Sequence, residues 1–296
     1  MNTAEMTAKL AAGQGFIAAL DQSGGSTPKA LAGYGIAANA WSDDAGMYAL
    51  IHEMRSRIIR SAVFTGDKVL GAILFERTMD GAVDGQSTPA ALLAKGIVPF
   101  IKIDKGLEDE AQGVQLMKPM LELDALLVRS KALGVFGTKE RSVINSADAA
   151  GIAAIVAQQF EVGRQVLAHG MMPMLEPEIN IKSASRAECD TILLAELLKA
   201  LDGIDQQVML KLSLPVAAGT FDALTSHPKV LRVVALSGGY ERPEACAELA
   251  KNQGIIASFS RALLQDLRSA MTDAEFDAAL GSAIDEIYTG STVKTA

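Results

Sequence analysis

Val208-Met209-Leu210-Lys211-Leu212-Ser213-Leu214-Pro215 sets a lysine in the middle of an apolar, strand-like run. An ammonium is costly to desolvate, so a lysine there needs a partner, a solvent-lined mouth or a chemical task. Two other runs share the pattern. Val98-Pro99-Phe100-Ile101-Lys102-Ile103-Asp104 carries a lysine near its end, and Met171-Met172-Pro173-Met174-Leu175-Glu176 finishes on a carboxylate. Several strands that each finish on a charged residue imply side chains converging on one polar mouth. A (β/α)8 barrel gathers its functional side chains at the C-terminal ends of its strands in this way.

Working outward, eight apolar runs read as strands: Phe16–Leu20, Val69–Phe75, Val98–Ile103, Val135–Ser142, Met171–Leu175, Val208–Leu212, Leu231–Leu236 and Ile255–Phe259. Amphipathic stretches separate most of them. Ser42 is expected to cap a helix whose Met47, Ile51, Met54 and Ile58 share a face. Ser146 is expected to start an alanine-rich helix to His169. Arg186–Leu201, with Ile192, Leu193 and Leu197 inward, should stop at Gly203. Pro243 falls in the first turn of a helix ending near Gly254, and Thr272 with Glu275 reads as a capping box for a last helix. The alternation predicts a parallel α/β array. Charge at the strand ends favours the (β/α)8 TIM barrel. A doubly wound sheet is the alternative, but neither G-x-G-x-x-G nor a P-loop motif supports it. With no Pro- or Gly-rich linker, residues 1–296 are expected to form a single barrel domain with a short N-terminal helix and a C-terminal helical extension.

Composition bounds the function classes. The 296 residues are 49% hydrophobic and 21% charged, which suits a globular chain with a large core. A net charge of −8 argues against nucleic acid or an anionic membrane as the main partner. An anionic substrate would therefore need locally concentrated cations. The opening residues lack an apolar h-region and no run approaches a membrane span, so a cytoplasmic protein is expected. Cys189 and Cys246 show no metal or redox spacing and read as reduced core residues. His52, His169 and His227 are far apart and away from strand ends, so no metal site is expected.

Three constellations carry chemistry. Lys211 suits an amine nucleophile, provided its pKa falls from about 10.4. A second ammonium roughly 6 Å away would supply about 2–3 kcal/mol of that shift; Lys102 and Lys139 at neighbouring strand ends are the candidates. In Glu176-Pro177-Glu178 the two carboxylates point the same way along an extended chain, as a proton-shuttling pair would. Finally, Ser237-Gly238-Gly239 and Ser258-Phe259-Ser260-Arg261 follow the last two strands, and Asp21-Gln22-Ser23-Gly24-Gly25-Ser26 follows the first. Backbone amides of such turns, with a guanidinium, make an anion site.

Together these segments resemble the class I fructose-1,6-bisphosphate aldolases, metal-independent Schiff-base enzymes on a (β/α)8 barrel. The likeness runs from about Phe16 to Leu263. It rests on Ala18-Ala19-Leu20-Asp21-Gln22-Ser23, Ile101-Lys102-Ile103-Asp104-Lys105-Gly106, Thr138-Lys139-Glu140-Arg141, Leu175-Glu176-Pro177-Glu178-Ile179, Met209-Leu210-Lys211, Leu236-Ser237-Gly238-Gly239 and Phe259-Ser260-Arg261-Ala262-Leu263. The departures are Gln206-Gln207 for Glu-Gly, Leu212 for proline, Ala30 for arginine, Glu140 for tryptophan and a C-terminus without tyrosine. They point to the shorter bacterial branch.

The resemblance implies reversible cleavage of fructose 1,6-bisphosphate to dihydroxyacetone phosphate and glyceraldehyde 3-phosphate, in glycolysis and gluconeogenesis, with no cofactor. It implies that Lys211 forms the imine and Glu176 handles protons. Asp21 or Glu176 takes the C4 hydroxyl proton, Lys139 polarises and Glu178 holds the lysines. Ser237, Gly238 and Arg261 would hold the C1 phosphate, and Ser26 and Lys102, with Lys29, the C6 phosphate; Gly239 and Arg141 complete the expected substrate- and phosphate-binding set. Tyr288 is the stand-in for the missing C-terminal tyrosine. The expected partners are small sugar phosphates, with a homo-oligomer left open. Two alternatives stand beside this: a class I aldolase for another ketose phosphate such as tagatose 1,6-bisphosphate, and a non-catalytic barrel scaffold.

Overall fold

A computed structural model describes residues 1–295. Eight parallel strands run in chain order around the sheet: β1 Phe16–Leu20, β2 Val69–Leu74, β3 Val98–Lys102, β4 Gly137–Ile144, β5 Met172–Ile179, β6 Val208–Ser213, β7 Val230–Leu236 and β8 Ile256–Ala257. The Ala19 amide donates to the Phe259 carbonyl at 3.0 Å, which brings β1 against the end of β8 and closes the circle. This is the (β/α)8 barrel expected from the strand ends.

α1 Thr3–Ala12 precedes the barrel and packs on its interior cluster, and the other helices lie between or after the strands: α2 Ser26–Gly33, α3 Asp44–Arg60, α4 Thr88–Ala94, α5 Leu123–Ala132, α6 Ala149–Ala168, α7 Arg186–Asp202, α8 Arg242–Ala250, α9 Arg261–Leu264 and α10 Asp273–Thr292. Only a single turn, Asp222–Thr225, lies between β6 and β7. The expected helices are present, but two caps differ. Asp43, not Ser42, caps α3, accepting from the Gly46 amide at 2.8 Å. Asp148, not Ser146, caps α6 through the Gly151 amide, also at 2.8 Å. In each case the aspartate is one or two residues closer to the helix, and its oxygen reaches the third amide beyond it. Likewise α8 ends at Ala250, short of Gly254. The capping box of Thr272 and Glu275 is formed as expected.

Two apolar layers follow from the period-two alternation of the strands. Phe16, Ala18, Leu20, Leu175, Leu210 and Leu212 face outward into the layer shared with the helices. Ile17, Ala19, Val98, Phe100, Met174 and Met209 face inward and fill the barrel, with Met6 and Leu10 of α1 packed among them. Continuing each inward series toward the strand C-terminus changes its character. Ile17-Ala19 leads to Asp21, Val98-Phe100 to Lys102, Met174 to Glu176 and Glu178, and Met209 to Lys211. The inside of the barrel is therefore apolar at depth and charged at the mouth.

Candidate active site

The mouth opens into a cleft of ≈ 1090 Å³, lined by residues at the C-terminal ends of the eight strands and in the loops that follow them. A space of this order is typical of a small-molecule site. All but one of the site residues expected from sequence line it: Asp21, Ser26, Lys29, Lys102, Lys139, Arg141, Glu176, Glu178, Lys211, Ser237, Gly238, Gly239 and Arg261; the exception is Tyr288.

At the floor, Glu176 bridges two lysines. Lys211 Nζ lies 3.0 Å from its Oε1 and Lys139 Nζ lies 2.8 Å from its Oε2. Lys139 also contacts Asp21 Oδ2 at 2.6 Å. The result is a buried chain, Asp21–Lys139–Glu176–Lys211, in which each residue is under 10% exposed. Burial alone would raise the Asp21 and Glu176 pKa values. The facing Lys139 and Lys211 ammonium groups outweigh it and hold both carboxyls below their ordinary range. For Lys139, burial pulls the ammonium down, but Asp21, Glu176 and Asp104 reverse the sign and hold it protonated. Of the two lysines expected near Lys211, Lys139 shares the Glu176 carboxylate with it, each ammonium on its own oxygen.

Around this chain, most cations are already paired. Lys102 Nζ donates to Asp104 Oδ1 at 2.7 Å, and Lys105 Nζ to Glu76 Oε2 at 2.7 Å. Arg141 is paired with Glu178. This corrects the expected role of Glu178, which holds an arginine rather than the lysines. Its carboxylate lies two residues beyond Glu176 on the same inward face of β5; Arg141 of β4 stands opposite Glu176, and its guanidinium reaches along the barrel to Glu178. Among the described residues, Arg261 and Lys29 are the cations lining the cleft that form no ion pair, and both are exposed. Arg261 begins α9, and a Cβ on Gly239 would lie 3.4 Å from its Nη2. Gly238 and Gly239 have φ of +62° and +119°, a left-handed turn that glycine adopts freely. The Ser26 hydroxyl is engaged locally, donating to the Ser23 carbonyl at 2.8 Å.

Behind the mouth lies a residue the sequence did not single out. Arg55 of α3 is fully buried. It donates to the Gln22 carbonyl at 2.5 Å and to Thr78 Oγ1 at 2.6 Å. Gln22 Nε2 in turn donates to Ser260 Oγ at 2.5 Å, so β1 and β8 are joined again at the rim. Burial pushes the Arg55 guanidinium down to about 10, with Asp21 opposing. Asp104 was also missed, although alternation places it on the same side as Lys102.

Tyr288 is not in this cleft. It lies on α10, with Lys68 Nζ 5.7 Å above its ring, and Lys68 immediately precedes the N-terminal end of β2. That is the opposite end of the barrel, so Tyr288 cannot reach a substrate at the mouth. The three histidines lie outside the cleft as well, and no cluster of metal-ligating side chains occurs among the described residues. No helix among them is long and apolar enough to cross a membrane.

Comparison with known proteins agrees with this architecture. The family model described as fructose-bisphosphate aldolase class-I matches residues 3–215. Among solved structures, the fold is similar to a fructose-bisphosphate aldolase from Plasmodium falciparum, crystallised with TRAP and a small-molecule inhibitor. The TM-score is 0.78 at 20% identity, over 99% of this chain and 96% of that one.

Proposed function

We propose a residue-level mechanism from one premise: the chain belongs to the class-I fructose-bisphosphate aldolase family. Membership gives the reaction, reversible aldol cleavage of fructose 1,6-bisphosphate to dihydroxyacetone phosphate and glyceraldehyde 3-phosphate in glycolysis and gluconeogenesis. It also gives the class-I route, through a lysine imine rather than a metal.

Lys211 is the nucleophile. Its Nζ adds to the C2 carbonyl, and Glu176, in contact at 3.0 Å, accepts the amine proton and returns it to the departing hydroxyl as water leaves. The iminium then accepts the electron pair of the C3–C4 bond. Asp21, ionised between its cationic neighbours, takes the C4 hydroxyl proton, so the aldehyde departs neutral. Lys139 stays cationic between Asp21 and Glu176 and keeps the two carboxylates from repelling one another. The C1 phosphate sits on the Ser237-Gly238-Gly239 turn with Arg261, and the C6 phosphate meets Lys29. Lys102 and Arg141 reach that phosphate only in competition with Asp104 and Glu178.

The observation that carries this assignment is the Glu176 carboxylate bridging Lys211 and Lys139 in a buried mouth. Borohydride reduction in the presence of dihydroxyacetone phosphate tests it. The added mass should map to Lys211, leaving Lys102 and Lys139 unmodified, and EDTA should leave activity unchanged. A label on either other lysine would overturn the assignment.

A further inference from the structure

We propose that Arg186 is a positioning residue, a clamp that holds the Ser237-Gly238-Gly239 turn in register with the strand carrying Lys211. The inference rests on the reading of that turn and Arg261 as the C1-phosphate site.

Arg186 is the first residue of α7 and forms no ion pair among the described residues. Its guanidinium is spent on two loops instead. Nη1 donates to the Tyr240 hydroxyl at 2.8 Å, and Nη2 donates to the Leu214 carbonyl. Tyr240 directly follows Gly239, and Leu214 lies three residues beyond Lys211. One planar, rigid group therefore joins the end of the phosphate turn to the exit of β6. The Tyr240 ring centroid lies 5.8 Å from the guanidinium carbon, within cation–π range.

The same helical turn makes a second hold. Four residues on, and so on the same face of α7, Asp190 Oδ2 accepts from the Val216 amide at 2.8 Å. The loop leaving β6 is thus pinned through a carbonyl by Arg186 and through an amide by Asp190. From below, the glycine turn rests on Ile181: a Cβ on Gly238 would come within 2.5 Å of Ile181 Cγ2.

The need for a clamp follows from the glycines. Two adjacent glycines at positive φ form an anion-accepting turn, but they contribute little stiffness of their own. The C1 phosphate and the C2 carbonyl are neighbours in one small molecule. The turn and Lys211 must therefore keep their spacing for the carbonyl to meet the amine, since small misplacements cost large factors in rate. None of the ion pairs at the floor touches the turn, whereas Arg186 does so through Tyr240.

Tyr240→Phe tests the clamp while keeping the ring and the Arg186–Leu214 contact. The KM for fructose 1,6-bisphosphate and the Ki of inorganic phosphate as a competitive inhibitor should each rise about 5–20-fold, the usual worth of one such hydrogen bond. Slow cleavage of fructose 6-phosphate, which lacks the C1 group, should change less than about twofold. Arg186→Met should show the same selectivity with a larger effect. Equal losses on both substrates would mean a merely structural role and overturn the proposal, as would unchanged phosphate inhibition in both variants. Arg261→Ala separates the two levels. If it weakens phosphate inhibition while the Tyr240 and Arg186 variants do not, the clamp alone fails. If it leaves inhibition unchanged, the phosphate-site assignment fails and the clamp falls with it.

Discussion

Replacing Glu140 by glutamine should stabilise the protein, and more so at higher pH. Glu140 stands beside Lys139 in β4, but alternation turns it outward, beneath α6, where it is fully buried. One oxygen accepts from Thr138 Oγ1 at 3.0 Å; the other has no partner. Burial, with Asp104 and Glu176 adding like charge, pushes its carboxyl from 4.5 up to about 8, against weaker opposition from Thr138 and Lys139. The folded protein thus holds a proton that the unfolded chain releases above pH 4.5. Stability is full below that pH and falls by about 1.4 kcal/mol per pH unit until the folded group ionises near pH 8. At pH 7 the loss is about 3 kcal/mol, set against a total of 5–15 kcal/mol for a typical domain. Glutamine keeps the acceptor for Thr138, adds a donor and never ionises. Urea unfolding of both proteins between pH 5 and 8 measures the difference directly. It should be about 1 kcal/mol at pH 5 and grow to about 3–4 kcal/mol in favour of the variant at pH 7–8. A difference that does not change with pH would refute the account of a buried, proton-holding carboxyl.

At the active site, Glu176→Gln should lower kcat by roughly 10²–10⁴, the usual worth of an acid–base group, with imine formation slowed in single-turnover traces. An unchanged burst with an unchanged kcat would remove Glu176 from the proton path. Arg261→Ala should lower kcat/KM for fructose 1,6-bisphosphate by about 2–4 kcal/mol and spare an analogue without the C1 phosphate; equal losses would move that phosphate elsewhere. Tyr288→Phe, at the far end of the barrel, should leave kcat within about twofold of the parent. A large loss would show that α10 reaches the mouth during turnover.

Much of the architecture was legible in the chain because it depends on local, periodic properties. A parallel strand buried on both faces reads as an apolar run, and all eight were found with ends displaced by no more than a few residues. The charged residues closing those runs announced the mouth, because an ionised side chain tolerates the inside of a barrel only where water or a partner reaches it. Helix caps were less secure. Ser42 and Asp43, or Ser146 and Asp148, are competing oxygens a residue or two apart, and only the backbone angles at the helix start choose between them.

Pairing was decided by tertiary structure alone. By itself the sequence determined which charged side chains meet at the mouth, since alternation sends Asp21, Lys102, Lys139, Glu176 and Lys211 inward. It did not determine that Glu178 takes Arg141, that Asp104 takes Lys102, or that Lys139 bridges Asp21 and Glu176. These choices depend on the stagger of neighbouring strands, Arg141 opposite Glu176 and Val143 opposite Glu178, and on side-chain reach across it. The same is true of Tyr288, a tyrosine near the C-terminus that packing of α10 carries to the wrong end of the barrel. Arg55 and Arg186 were invisible for a further reason. Each is an arginine in a helix, and its meaning lies in carbonyls and hydroxyls some 23 to 54 residues away along the chain, which only the closed barrel brings within hydrogen-bonding distance.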